Sequence, residues 1–124
     1  MQALRLHPGD DLRLALEGQG GCGFVVVGMG SLSSARLRYA GQAEPAVVEG
    51  PLEILTLSGS LAPDGAHLHA SLADATGRVF GGHVCVGCLV RTTAELLIAS
   101  LPAGSLAREL DPATGYAELV VRRP

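Results

Sequence analysis

With 124 residues, formal net charge −3, 48% hydrophobic and 3% aromatic residues, the chain has the size and makeup of one domain (1–124) with an aliphatic core. No apolar run approaches the roughly 18–20 residues of a membrane helix, and the N-terminus carries no charged-then-apolar leader, so a cytoplasmic domain with no membrane contact is expected. All nine basic residues are Arg, the acidic balance makes direct nucleic-acid binding by charge an unfavoured role, and three Cys do not make a disulfide framework.

Gln2–Leu6 reads as a short strand. Pro8-Gly9-Asp10-Asp11 offers a turn and an acidic helix start, followed by Leu12, Ala15 and Leu16 at helical spacing and ended by Gly18–Gly23. Phe24–Val27 is an apolar run of strand length, and Ser34–Ala40 alternates up to a loop at Gly41–Pro45. Val47–Val48 and Leu52–Leu61 are strand-like, and Pro63-Asp64-Gly65 is a turn. Strands are then expected at Ala66–Asp74, Arg78–Thr92 and Ala94–Leu101, a helical turn at Leu106–Leu110, and a last strand at Tyr116–Val121 before Arg122-Arg123-Pro124. The sum is a single α+β domain, a largely antiparallel sheet with one main helix.

Gly18-Gln19-Gly20-Gly21-Cys22-Gly23 matches a dinucleotide fingerprint by letter, but a helix precedes it and a strand follows, the reverse of what a pyrophosphate needs. Cys85-Val86-Gly87-Cys88 falls inside an expected strand, where residues three apart point to opposite faces; two structural cysteines follow from that. The histidines are more informative. His67 and His69 share a strand face, and the loop Ala75-Thr76-Gly77, with Gly77 in the left-handed position, pairs Asp74 with Arg78 and therefore His69 with His83. The opposite face (Leu68, Ala70 and Leu72 against Val84, Val86, Cys88 and Val90) is uniformly apolar, which supports the register; a bulge at Gly81-Gly82 is the alternative that would shift it by one residue. The polar face then gathers His67, His69, Ser71, His83 and Cys85. Three imidazoles at cross-strand spacing suit zinc or another divalent metal with an open position; a hydrogen-bonded cluster without metal is the alternative. Glu53 and Glu95 stand in apolar runs, as candidate partners of an Arg or a His, as a general base, or as exposed carboxylates on a wet face.

Taken together these stretches resemble the plant- and prokaryote-conserved (PPC) domain family, known from plant AT-hook nuclear-localised proteins. The resemblance is carried by Gly50-Pro51-Leu52-Glu53-Ile54-Leu55-Thr56-Leu57-Ser58-Gly59-Ser60, by His67-Leu68-His69 through Asp74, and by Gly77-Arg78-Val79-Phe80-Gly81-Gly82-His83. Thr93-Ala94-Glu95 and Arg5 with Pro8-Gly9-Asp10-Asp11 also fit, so it spans roughly Leu4 to Leu119. It implies a twisted sheet with a helix packed on it, a homotrimer, and a metal, commonly taken as zinc, on His67, His69 and His83. Plant members use the domain for assembly and partner contacts, and a separate Arg-Gly-Arg-Pro hook for DNA; no such hook occurs here. The expectation is a homotrimeric metal-binding protein, with a small metal-dependent enzyme as one role and a small-molecule ligand as one partner. The alternative is a non-catalytic assembly or regulatory module acting with a protein partner or DNA.

Overall fold

The computed structural model describes residues 1–123; Pro124, the last residue of the basic tail, lies outside them. Eight strands and one helix follow in the order β1 (Gln2–Leu6), α1 (Leu12–Glu17), β2 (Cys22–Arg38), β3 (Ala46–Ala62), β4 (Gly65–Ala73), β5 (Val79–Val84), β6 (Leu89–Leu101), β7 (Leu106–Asp111) and β8 (Tyr116–Val121). The sheet runs β1-β6-β2-β3-β4-β5, and its pairings are antiparallel. The end of β5 also returns to β2, through Leu37↔Val84 and Arg38↔His83, so β2, β3, β4 and β5 form a closed circuit of pairings. A second, two-stranded sheet is the β7–β8 hairpin.

The fold is mostly antiparallel β with a single short helix, so the expectation of an α+β domain with one main helix overstated the helical part. Two local facts explain the difference. The helix has six residues and buries only Leu12 and Leu16, and Leu106–Leu110 is strand rather than a helical turn. Its alternation with Tyr116–Val121 across an Asp111–Gly115 turn outweighs the helix propensity of Leu and Ala.

β2 and β3 are each single strands of 17 residues, where the sequence pattern was broken in two. Register shifts at Val25/Val27, Gly30/Leu32 and Leu32/Ser34 interrupt the alternation without ending β2. The expected strand Arg78–Thr92 is instead divided at Cys85–Cys88, where the chain turns out of β5, which ends at Leu37↔Val84, and rejoins the same edge of β2 as β6 at Ser34↔Leu89.

The core lies inside the closed strands, with Leu32, Leu37, Leu52, Leu68, Leu72 and Val84 fully buried. The helix closes one end with Leu12 and Leu16. Its N-cap is Asp11, whose Oδ1 accepts from the Leu14 amide at 3.0 Å while Oδ2 accepts from the Gly87 amide at 2.7 Å. One carboxylate thus ties the helix start to the β5–β6 turn. The β7–β8 hairpin is anchored by Leu106, which packs with Cys22 and Ala62 in a small second cluster. None of the described helices is long and apolar enough to cross a membrane.

Candidate metal centre

The β4–β5 hairpin places the histidines. The Asp74 amide donates to the Arg78 carbonyl at 3.0 Å, Gly77 takes φ +83°, and the strands pair as Ala73↔Val79, Leu72↔Phe80, Ala70↔Gly82 and His69↔His83. The three-residue loop and the register are those the sequence predicts, with no bulge at Gly81-Gly82. The inner face buries Leu68, Leu72 and Val84 completely. Strand alternation then turns His67, His69 and His83 to the outer face. One ring nitrogen from each lies within 4.8 Å of the others. The Nε2 atoms of His67 and His69 are 3.2 Å apart, and the ring centroids are separated by 4.9, 5.2 and 5.9 Å.

The surroundings are cationic. Arg13 of α1 donates through Nη1 to His83 Nε2 at 3.2 Å and to the Val84 carbonyl at 3.0 Å, and through Nε to Glu17 at 2.9 Å. Arginine is always protonated, so His83 Nε2 accepts and the ring is the neutral Nδ1–H tautomer. Arg38 is the register partner of His83 across the β2–β5 pairing. Arg108 of β7 reaches Ser60 Oγ at 2.5 Å through Nη2, while its backbone amide donates to Asp64. Partial burial, then Arg38 and Arg13, push the His83 pKa down to about 4. The His67 pKa is also lowered, first by burial and then by His69, Arg108 and Arg13, against Glu118, which raises it. The environment therefore holds these two rings in the neutral form, which is the metal-ligating form.

A cleft of about 420 Å³ opens beside His67 and His83, walled by Arg13, Arg38, Arg108 and Tyr116. Sequence reading missed Arg13, Arg38, Arg108 and Glu118 as neighbours of the histidines. The hairpin signal for β7–β8 was present as two alternating runs around a Gly-containing turn. The β2–β5 pairing that sets Arg38 on His83 has no local signal.

The other candidates separate from this centre. Glu53 is exposed and pairs with Ala73, while His69 and His67 pair with Ser58 and Ser60. That puts Glu53 roughly 15 Å along the sheet. Glu95 is exposed and faces Met29 and Arg5 in the register of β6. Arg5 donates to Thr93 Oγ1 rather than to that carboxylate. Cys85 and Cys88 lie in the turn between β5 and β6, not in a strand. Cys88 is buried, donates to the Arg36 carbonyl, and has its pKa raised by that burial, whereas Cys85 is half-buried and donates to the His83 carbonyl. All three cysteines are free.

Comparison with known proteins agrees with the fold. Residues 1–102 match the model of the Plants and Prokaryotes Conserved (PCC) domain. A hypothetical protein from Salmonella superposes with TM-score 0.91 at 38% identity, over 98% of this chain and 91% of that one. The metal-containing protein from Archaeoglobus fulgidus superposes with TM-score 0.76 at 28% identity, over 96% and 91% of the two chains. A protein from Ralstonia eutropha described as a candidate DNA-binding protein superposes with TM-score 0.84 at 26% identity, over 97% and 90%. That description leans against the expectation, drawn from charge, that direct nucleic-acid binding is an unfavoured role. Two curated Synechococcus relatives called Bifunctional protein GlmU are 50% identical over 96% and 97% of this chain, which spans only 20% of their length. Fold, signature residues and family match agree: the chain belongs to the plants and prokaryotes conserved domain family.

Proposed function

We propose that the chain is a homotrimeric metal-binding protein, with zinc or a similar divalent ion held by His67, His69 and His83, and that the centre serves a small metal-dependent enzyme. The observation that carries this reading is the convergence of three imidazoles, two of them held neutral by their surroundings. The donor set fits the ion. The 3.2 Å between the Nε2 atoms of His67 and His69 compares with an edge of about 3.3 Å between two nitrogens of a tetrahedral zinc site. Three-histidine sets belong to catalytic centres that keep a place for water or substrate, where the ion supplies a Lewis acid and an acidified water.

The chain's own residues have defined tasks around such an ion. Arg13 Nη1, with two N–H groups, donates to both His83 Nε2 and the Val84 carbonyl, and the carbonyl would still hold the guanidinium where His83 Nε2 served as a ligand. Glu118 lines the same cleft as His67 and acts on that ring through its charge. Within one chain Glu53 and Glu95 do not reach the histidines; they act as partner or base only from a neighbouring subunit. Self-association is supported by the apolar side chains that β2 exposes, Phe24, Val26, Val27 and Met29. Phe24 also borders a shallow cleft with His67 and His69, so a subunit seated on this face would adjoin the centre.

Elemental analysis of untagged protein tests the reading. Close to one divalent ion per chain is expected, and His69→Ala should lose it. Metal-free wild type, or equal metal in the variant, would overturn the proposal. A second reading, a regulatory module that contacts DNA, is favoured by the Ralstonia neighbour's description and by the cluster of arginines. Against it stands the net charge of −3, which predicts weak, steeply salt-dependent binding. Tight binding to duplex DNA at physiological salt would reverse the preference.

A further inference from the structure

We propose that the arginine-walled cleft beside His67 and His83 binds a small phosphoryl oxyanion, free or as the monoester of a compact organic group. The inference rests on the reading of the histidines as the metal centre and names the class of ligand that centre meets. The walls carry Arg13, Arg38 and Arg108 against Asp64 and Glu118, an excess of one positive charge in a partly enclosed space. Cations repel an ion on the adjacent imidazoles, so the two features are compatible when an anion lies between them.

The arginines are not equally engaged. Arg13 is tied to Glu17 and Val84, and Arg108 to Ser60. Arg38 makes no ion pair and no side-chain hydrogen bond among the described residues, although it borders both clefts that meet at His67 and His83. A half-buried, uncommitted guanidinium on a concave wall is a ready donor for oxyanions, because its planar fork matches two oxygens at once. The cleft holds more than a bare anion. Its volume of about 420 Å³ falls in the range of small-ligand sites, and Tyr116 and Ala117 give an apolar wall for a carbon body. Arg108, Tyr116 and Glu118 all come from the β7–β8 hairpin, beyond the residues 1–102 that match the family model. An element outside the matched span thus completes a wall that Arg13 and Arg38 begin inside it.

Calorimetric titration of the full chain with phenyl phosphate, inorganic phosphate and benzoate tests this, with protein treated with chelator and with protein reloaded with zinc. Saturable phenyl phosphate binding is expected, tighter with zinc. It should weaken about tenfold or more in Arg38→Gln, recover in part in Arg38→Lys, and stay unchanged in Arg91→Gln, whose side chain lines a separate cleft with Glu53, Asp74 and Thr92. Arg108→Gln should weaken it as well, with a thermal melt to confirm that the hairpin holds. If zinc does not bind but phenyl phosphate does, with the same dependence on Arg38, the oxyanion site stands and the metal reading falls. If zinc binds and neither phosphate saturates, the oxyanion site falls alone. Equal affinity for inorganic phosphate assigns the free anion, and a preference for phenyl phosphate assigns the ester. Benzoate binding as tight as phenyl phosphate, or Arg38-dependent capture of duplex DNA without phenyl phosphate binding, contradicts the assignment.

Discussion

On its inner face the β4–β5 hairpin turns Leu68, Leu72 and Val84 into the core; on its outer face, one residue out of step, it turns His67, His69 and His83 toward solvent. The inner face is insensitive to chemistry but intolerant of a change in volume. The outer face contributes little burial but depends on having imidazoles at three positions. A one-residue slip would exchange the two sets, so the energy that buries the leucines also sets the positions of the histidines. The centre therefore does not rely on its own contacts to be assembled, and its residues should be replaceable without unfolding the chain.

The sharpest way to break this comparison is to damage the inner face. Leu68→Ala removes a fully buried side chain and should cost about 2–5 kcal/mol in a denaturant melt. A loss well under 1 kcal/mol would mean that the inner face does not hold the register. Gly59→Ala acts on the outer face through the backbone. A Cβ there would meet the His67 carbonyl oxygen at 2.0 Å, so β4 must shift at the first histidine. We expect a destabilisation of about 1–3 kcal/mol together with weakened metal binding. An unchanged metal affinity would show that the spacing of the rings tolerates a displaced strand.

Asp11→Ala should cost about 1 kcal/mol, since it removes the helix cap and the acceptor for the Gly87 amide. The same variant should loosen the hold of Arg13 on His83, visible as a shifted imidazole resonance. A further effect comes from pH. His83 titrates near 4 in the folded chain against an ordinary 6.5, so the unfolded chain binds more protons between those values. The stability this ring contributes is fully present above about pH 6.5 and is lost as the pH falls toward 4. Thermal melts of chelator-treated protein should show that decline, shallower in His83→Gln, and a pH-independent difference between the two would count against it.

How much of this was legible in the sequence depends on the range of the interaction. The hairpin could be read from its loop to His69↔His83 because its loop, its Gly77 and its two faces lie within one stretch; Cys85, Val86, Cys88 and Val90, expected to continue the second strand, lie in the following turn and in β6, and Val86 is exposed. The helix start at Asp10-Asp11 and the last strand Tyr116–Val121 were equally local. The length of β2 was not, because bulges interrupt the alternation on which the reading depends, and Cys85–Cys88 read as strand although the chain turns there between two strands on the same edge of β2. Arg13, Arg38 and Arg108 reach the histidines from a helix, a strand and a hairpin far off in the chain. Nothing in the alternation of Arg36 and Arg38 distinguishes the arginine that faces a histidine from the one that does not.

The central claim is that one divalent ion sits on the outer face of the β4–β5 hairpin. Anomalous diffraction at the zinc absorption edge, from crystals of the zinc-loaded full chain, tests it directly. The account predicts a single strong peak per chain at about 2.0–2.1 Å from one ring nitrogen each of His67, His69 and His83. A peak on other residues, or none at full zinc loading, would contradict it.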